Sequence, residues 1–465
     1  MVKNGKNKKK YHKPTKAHHH SSPPPAEENK PVTVKTLPAD LVLEIFYRTP
    51  VKSLVRCYCV CKSWSALMHH PTFIEMHLNF NTSRNNKHLL CNTVCDDTLS
   101  RKLIAFLRLT GPPIPVLRVD TEFTDRPNYP RIINFPDFSK HMSLAGSING
   151  IVCLAHYMEM FGRFVALWNP AINYWKPIVV SETQTIYDRL DDMSFGLGFD
   201  AVADDFKIIR VVPVSIPPNY EKFCWSRVEI YSANRDVWED VDKGGVIPFQ
   251  PKVRHCNFIV KGVPYWIGVD ADSRDYEPSM TGQLQVLGRI DPLTGLFKVA
   301  YPEHIKNRST LVYPVNLKDS VAALIQSPGK HPNQMVDLYV RDENTARWTK
   351  MYSIGPLGFE GMRIPQCFST GEIVLETWTG NINIYDSSDR VTYICDPKNS
   401  SVLLYNEIDT LRPFWFMSYS HVESLVCVKG MVQIGKERRD KKTNPNMKNW
   451  IEFLSRDFES ALHDL

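Results

Sequence analysis

A hairpin pattern recurs along most of this 465-residue chain, and it restricts the fold more than any other feature of the sequence. In each repeat an apolar run ends at Asn, Asp or Ser, and a large apolar residue stands six positions later. A short polar side chain can cap the turn, and the returning strand then places its bulky residue on the sheet. The pattern predicts antiparallel hairpins. The six capping residues are Asn169, Asp200, Ser232, Asp291, Asp342 and Asp396.

The spacing of these turns indicates the architecture. Successive intervals are 31, 32, 59, 51 and 54 residues. Intervals of about 50 to 60 residues suit a four-stranded propeller blade, and the two short intervals can place two hairpins within neighbouring parts of one blade. We therefore expect a mainly antiparallel β-propeller-like domain of about six blades, in which ring closure removes exposed strand edges.

The stretch Leu37–Leu78 has a different, helical period. Pro38 suits a first helical turn, and apolar residues then recur at helical spacing until Thr49-Pro50 ends the run. Two more helical patterns follow, which predicts three helices in all. A segment this short cannot bury so many apolar side chains within itself, so part of its surface should contact another chain. The alternative is a three-helix cap on the chain's own larger domain.

The same stretch contains the ordered run Leu37-Pro38, Leu41, Glu44-Ile45, Pro50-Val51-Lys52-Ser53-Leu54, Arg56-Cys57 and Val60-Cys61-Lys62-Ser63-Trp64. This run resembles an F-box in the form common in plants. An F-box implies a three-helix hook that binds a Skp-type adaptor, and through it a cullin and a RING protein, in a ubiquitin ligase. The resemblance implies adaptor contacts at Leu37, Pro38, Leu41, Ile45, Pro50, Val51 and Leu54. It implies an internal core at Val60, Trp64 and Leu67.

The β region contains a series of short motifs, which include Gly146–Leu154, Leu167–Pro170, Gly196–Asp200, Val228–Ser232, Gly262–Trp266, Val336–Tyr339 and Glu423–Leu425. In this order they resemble the F-box-associated domain of type 1, which is related to kelch-type propellers. Two departures are Ile148 in the first piece and the lack of a clean Gly-Gly kelch signature. The resemblance implies a substrate receptor with the F-box at one end and a target-binding β domain.

Charge and periodicity divide the rest of the chain. Residues 1–36 hold nine lysines against two glutamates, while the remaining residues carry 47 basic and 48 acidic side chains. The body therefore lacks the basic excess of a nucleic-acid-binding fold. Lys6–Lys10 is either a nuclear import signal or part of a solvated tail.

We expect a disordered basic tail (1–36), an F-box (37–80), the β domain (87–430), a basic linker (431–447) and an amphipathic C-terminal helix (448–465). This helix either docks on the β domain or binds a partner.

Several functional classes lack support in the sequence. The 11 cysteines are odd in number and scattered, and no C-x-x-C pair suggests a zinc site. No nucleophile elbow, phosphate-binding glycine loop or deaminase signature is present. The sequence also lacks an apolar run long enough to span a membrane. We expect a non-enzyme without metal or cofactor, with no nucleic-acid or membrane partner, in the cytoplasm, the nucleus or both. The clustered aromatics Trp225, Trp238, Tyr265 and Trp266 are expected in blade cores.

The combined prediction is the substrate-recognition subunit of a Skp-cullin-F-box ubiquitin ligase, whose β domain binds an unknown protein target. The alternative is an F-box scaffold or sensor that binds the adaptor without directing degradation. Polarity and length suggest three candidate target-binding loops, Ser181–Asp192, Pro213–Lys222 and Asp270–Thr281.

Overall fold

The computed structural model describes residues 38–84, 87–95, 102–110, 116–119, 142–156, 164–180, 193–214, 225–241, 245–270, 285–291, 295–299, 311–326, 334–357, 366–367, 371–378, 390–396, 401–405 and 411–433. The expected basic tail and C-terminal helix lie outside the described residues, as does the expected linker beyond residue 433. The chain divides into two compact units, Met1–Phe46 and Tyr47–Leu465.

Helices occupy the first described segment. Their bounds are α1 (Ala39–Tyr47), α2 (Val51–Cys57), α3 (Lys62–Met68) and α4 (Pro71–Ser83). The sequence predicted three helices, and the described residues contain four. Pro71 stands in the first turn of α4, where its missing amide has no helical partner to lose. Neither Pro nor Gly then interrupts the helix before Ser83.

The described strands form six antiparallel sheets of four or five strands. Sheets I to III contain strands from the first half of the chain and from its C-terminal part. Sheet I joins β1 (Lys87–Cys95), β2 (Lys102–Thr110) and β3 (Val116–Val119) with β25 (Leu411–Val422). Sheet II joins β4 (Met142–Ile148), β5 (Ile151–His156), β6 (Phe164–Asn169) and β7 (Tyr174–Val179) with β26 (Val432–Gln433). Sheet III contains β8 (Ser194–Asp200), β9 (Asp205–Val214), β10 (Trp225–Ser232) and β11 (Val237–Asp240).

Sheets IV to VI follow in chain order. Sheet IV contains β12 (Phe249–Pro251), β13 (Phe258–Val260), β14 (Val263–Asp270), β15 (Gln285–Asp291) and β16 (Gly295–Val299). Sheet V contains β17 (Leu311–Leu317), β18 (Ser320–Gln326), β19 (Gln334–Arg341) and β20 (Trp348–Leu357). Sheet VI contains β21 (Gln366–Cys367), β22 (Ile373–Trp378), β23 (Arg390–Asp396) and β24 (Ser401–Tyr405).

The capping residues predicted from the sequence lie at the ends of strands. Four of them end their strands, namely Asn169 (β6), Ser232 (β10), Asp291 (β15) and Asp396 (β23). Asp342 directly follows β19, and Asp200 ends β8, the first strand of sheet III. The two short intervals, of 31 and 32 residues, arise because sheet III contains two of the six turns, those after Asp200 and Ser232. The bulky residue lies opposite the residue before the cap, as in the pairs Trp168–Trp175, Phe199–Phe206 and Tyr231–Trp238.

Neighbouring sheets contact one another through strands at or next to one edge of each sheet. Within the second unit, β25 lies against β4, β4 against β8, β8 against β14, β13 against β17, β17 against β21 and β21 against β25. Close packing at one of these contacts requires a glycine. A Cβ atom on Gly196 of β8 would lie 2.5 Å from Cζ2 of Trp266, which is fully buried in β14. The Trp266 indole donates to Ser194 Oγ at 2.8 Å, which ties sheet IV to sheet III.

No helix in the described part of the chain has the length and apolarity needed to cross a membrane. Among the same residues, no group of three or more His, Cys, Asp or Glu side chains is arranged to hold a metal ion.

Candidate functional site

Helix α1 presents two large apolar side chains to solvent. Leu41 and Ile45 are each 52% exposed, whereas Phe46 is buried. Residues four apart in a helix lie on the same face, so Leu41 and Ile45 form one apolar stripe. Exposed apolar side chains grouped in this way are typical of protein interaction surfaces. Pro38, just before α1, is exposed, and Leu37 lies outside the described residues.

Helix α2 holds the other predicted contact residues. Pro50 is exposed and precedes the helix in an extended conformation. Val51 and Leu54 are fully buried, at 0% exposure. Both side chains are thus buried within the chain, and the adaptor contacts expected at Val51 and Leu54 stay a prediction. These two residues stabilise the segment that contains them.

The predicted internal residues also differ in burial. Trp64 and Leu67 of α3 are half-buried, which suits partial support of the segment. Val60 is 62% exposed, so its prediction as a core residue is wrong. Val60 lies in the turn between α2 and α3, beyond the helical periodicity that would direct it inward.

Polar and aromatic contacts join α4 to the residues just before α2. His77 of α4 is buried, and its Nε2 lies 3.0 Å from the carbonyl oxygen of Thr49. Burial lowers the pKa of His77, against the opposing effect of the Thr49 carbonyl. The Tyr47 and Phe73 rings stack with centroids 5.2 Å apart. These contacts join Tyr47 and Thr49 to α4 within the second unit.

Tyr58, just after α2, connects this region to the sheets. Burial raises the pKa of Tyr58 to about 12, and the nearby groups of Tyr174 and Cys427 add to the effect. Helix α4 also contacts β25. Helices α2 to α4 therefore share one compact unit with the sheets.

A cavity of about 500 Å³ opens at one end of the sheets in the second unit. The first hairpins of sheets II, IV and V line it through Asn149, Lys261-Gly262 and Lys318-Asp319. These turn residues have positive φ, as two-residue turns matched to the twist of a sheet require. The exposed rim of the cavity consists of Thr82, Lys261, Lys318 and Asp319.

The buried floor of the cavity contains a Ser-His pair. Ser147 Oγ lies 2.9 Å from His421 Nδ1, and His88 is the cross-strand partner of His421. Burial lowers the pKa of His421 to about 3, with a smaller effect from His88. An imidazole with so low a pKa is a weak base at neutral pH. The pair therefore serves as a polar part of the floor rather than as an activated nucleophile.

The candidate target-binding loops fall largely outside the described residues. Their anchoring strands still define one end of the sheets. Phe199, at the end of β8, donates its amide to the Gly262 carbonyl at 2.9 Å, which places the end of β8 beside the β13–β14 turn. The start of β8 and the end of β14, which flank two of the candidate loops, therefore lie at the opposite end from the cavity.

The aromatic residues predicted for the blade cores differ in burial. Tyr265 and Trp266 are buried, whereas Trp225 and Trp238 are half-buried.

Sequence reasoning missed the ion pair of Arg210 and Glu229, in which Arg210 Nε donates to Glu229 Oε2 at 2.6 Å inside sheet III. The two residues are directly opposite on β9 and β10. The available signal was a charged residue within an apolar run, because Arg210 stands between Ile209 and Val211 and Glu229 between Val228 and Ile230.

Comparisons with known proteins agree with the two predicted regions. The family model described as an F-box associated beta propeller domain matches residues 131–428, and the F-box-like model matches residues 34–76.

Relatives from Arabidopsis thaliana include the F-box protein CPR1, which is 28% identical over 215 residues, or 44% of this chain and 45% of that protein. An F-box/kelch-repeat protein is 24% identical over 206 residues, or 43% of this chain and 50% of that protein. The F-box protein DOR is 48% identical over 48 residues, or 10% of this chain and 12% of that protein. The matches thus span half or less of the length of these relatives.

Among solved structures, polysaccharide lyase Uly1 aligns with 58% of this chain and 73% of its own chain, at 8% identity and a TM-score of 0.36. A similarity at this level supports no conclusion about fold or function.

Proposed function

Because the chain belongs to the family of plant F-box proteins that carry an F-box associated beta propeller domain, we propose that it is the substrate-recognition subunit of a Skp-cullin-F-box ubiquitin ligase. In this proposal the F-box-like segment binds a Skp-type adaptor, and the adaptor connects the chain to a cullin. The β domain binds a protein target. The proposed location is the cytoplasm, the nucleus or both.

The apolar stripe of α1 carries the proposal. Leu41 and Ile45 match adaptor-contact positions implied by the F-box resemblance, and both side chains are half exposed. Burial of a Leu or Ile side chain at an interface contributes about 1.5 to 3 kcal/mol. The proposed adaptor surface therefore centres on α1, with exposed Pro38 and Pro50 as further members.

The six sheets are proposed as the six blades of a ring. Each sheet contacts the next through strands at or next to one of its edges, and the contact of β21 with β25 leads from sheet VI back to sheet I. This cyclic series of neighbours supports a blade count of six. A ring of this kind leaves few strand edges open and presents its connections at two ends, where propellers bind partners.

The proposed role is non-catalytic. A receptor that holds a target and an adaptor on one chain raises the effective concentration of the target near the ubiquitin-transfer enzymes. The target is proposed to bind at the end of the sheets where the three candidate loops are anchored. Adaptor and target would then use separate surfaces, and mutations on one surface would leave the other intact.

Co-purification with a Skp-type adaptor tests the α1 surface. Leu41→Asp and Ile45→Asp each place a charge in the apolar contact, so we expect adaptor recovery to fall at least tenfold, equivalent to about 1.4 kcal/mol. Val202→Asp is the matched control, because Val202 is 90% exposed in a turn of sheet III. Wild-type recovery in both α1 variants, with folding verified by circular dichroism, would exclude the proposed surface.

The degradation role needs a second measurement, because a scaffold or sensor would also bind the adaptor. Proximity labelling with the full chain identifies target candidates. Their abundance is then compared in cells that express wild-type protein or the Ile45→Asp variant, with the proteasome active or blocked. We expect targets to accumulate with the variant and the difference to vanish under proteasome inhibition. Equal abundance in all four conditions would favour the scaffold or sensor.

A further inference from the structure

The cavity at the turn end of the sheets has apolar side chains beside its polar floor, and charged side chains on its rim. Its lining includes two lysines, Lys261 and Lys318, and one carboxylate, Asp319. We propose that this cavity binds a small organic acid, with one negative charge held at Lys318 and an apolar body inside the cavity. The proposal concerns a site separate from the α1 surface and does not depend on adaptor binding.

The size and lining of the cavity suit such a molecule. A volume of about 500 Å³ lies within the range of small-molecule sites, which are mostly apolar with a few placed polar groups. Phe199, Phe258 and Ile259 supply apolar side chains from sheets III and IV. Leu89 and Cys367 extend this apolar lining to sheets I and VI, and both are buried. A planar apolar group would therefore contact side chains on several sides.

The two lysines of the rim differ in their partners. Lys261 Nζ lies 2.7 Å from Glu343 Oε2, and this pairing, together with Asp319, raises the pKa of Lys261. Lys318 has no carboxylate partner within the described part of the chain. The ammonium group of Lys318 is thus the cation that remains for an incoming anion.

A glycine on the adjacent sheet leaves space for the side chain of Lys318. Gly371, between β21 and β22, has φ of +109°, and a Cβ atom there would lie 2.9 Å from Lys318 Cε. The lysine stem therefore occupies the space that a side chain at this position would fill. On the floor, His421 is neutral because its pKa is lowered, so it adds no second positive charge. This arrangement favours a monoanion over a polyanion.

Three probes of one shape test the charge preference. They are naphthalene-2-carboxylate, its neutral carboxamide and the cationic naphthalene-2-methylamine, each titrated calorimetrically into the purified full chain. We expect the carboxylate to bind about fivefold more tightly than the carboxamide, the gain that a largely exposed ion pair provides. The amine should bind most weakly.

Variants at the rim assign the preference to one residue. Lys318→Met keeps the length of the side chain but removes its charge, so the carboxylate should lose its advantage over the carboxamide. Lys318→Arg should retain it. The matched control is Lys350→Met on the same sheet, where Lys350 pairs with Asp337 at 2.8 Å outside the cavity lining, and this variant should keep the preference.

Four results of the titrations would each overturn the proposal. These are the absence of saturable binding, equal affinity for carboxylate and carboxamide, tightest binding of the amine, or an unchanged preference in Lys318→Met. Equal losses in Lys318→Met and Lys350→Met would also overturn it, because they would show an effect of total charge. Circular dichroism of each variant verifies folding, and Lys318→Arg provides a second folded test of the same position.

Discussion

The side chain of Asn169 makes hydrogen bonds to three backbone groups. Its Nδ2 donates to the carbonyls of Ser424 at 3.1 Å and Val426 at 2.8 Å, and its Oδ1 accepts the amide of Ala171 at 3.0 Å. The residue is fully buried. The Asn of the Leu-Trp-Asn-Pro sequence therefore does more than cap a turn, because it also fastens sheet II to the segment that follows β25.

Replacement of Asn169 should destabilise the protein strongly. Asn169→Ala removes these bonds and leaves buried carbonyls without a partner, which should lower the free energy of unfolding by about 3 kcal/mol. Asn344→Ala is the control, because Asn344 is exposed in a turn of sheet V and should change stability by less than about 0.5 kcal/mol. Urea unfolding monitored by tryptophan fluorescence compares the two. Equal stabilities would show that the Asn169 bonds do not support the fold.

Asp205 carries a buried negative charge at the start of β9. Burial disfavours its charged form, but hydrogen bonds from Lys207, Ser232 and the amide of Asn234 outweigh this effect and lower its pKa. The carboxylate lies 2.6 Å from both Lys207 Nζ and Ser232 Oγ. These bonds join the two hairpins of sheet III.

The lowered pKa of Asp205 predicts the pH dependence of stability. The unfolded carboxyl has a pKa of about 3.9, so its contribution is complete above that value and is lost as pH falls through the lower folded pKa. Asp205→Asn should cost about 2 kcal/mol at pH 7, and its difference from wild type should shrink below about pH 4. Asp204→Asn, at an exposed neighbour with φ of 48°, is the control. A deficit in Asp205→Asn that is constant from pH 7 to 3 would contradict the ionic role of this residue.

The capped hairpins share one backbone geometry. The side chains of Asn169, Asp200, Ser232 and Asp342 each accept a backbone amide two or three residues on. The fourth residue after each cap has positive φ, a conformation that Asn and Asp tolerate better than other non-glycine residues. These residues are Asn173, Asp204, Asp236 and Ala346, with φ between 48° and 62°.

Ala346 is the exception in this series, and its replacement by Asn should stabilise the protein. Its φ of 57° places Cβ close to the following carbonyl, whereas Asn at the equivalent positions offers local hydrogen bonding. Ala346→Asn should raise the free energy of unfolding by about 0.5 to 1 kcal/mol. Ala201→Asn, also exposed in a hairpin turn but without positive φ, should give no gain. Thermal unfolding distinguishes the two, and an equal or lower melting temperature for Ala346→Asn would refute the strain argument.

The hairpins were predictable because their signal is local. A capping side chain, its αL residue and the returning bulky residue all lie within seven positions, so the sequence predicts them without any knowledge of distant partners. The orientation of α2 was not predictable in this way. Its periodicity identifies Val51 and Leu54 as one apolar face, but the sequence does not indicate whether this face packs within the chain or against an adaptor.

The second unit unites segments from opposite ends of the chain in one sheet. Strand β25 pairs with β1 over nine residue positions, with a shift of register between Cys91 and Asn92. The sequence identified both segments as strand-forming, but pairing between remote segments depends on closure of the whole chain. The membership of sheet I, and the cavity beneath its strands, therefore could not be derived from local patterns.

A single substitution tests this long-range pairing. Cys91 lies opposite Ser418 across β1 and β25, so Ser418→Cys places two cysteines at paired positions. Under mild oxidation we expect a disulfide between Cys91 and the introduced cysteine, detected as a linked peptide by mass spectrometry. The closed loop includes most of the chain, so the oxidised form should gain up to about 4 kcal/mol over the reduced form. Ser418→Ala separates the loss of the hydroxyl from the effect of the bond. Without a link between these two positions in the folded protein, the register of sheet I would be wrong, because paired positions lie within disulfide reach.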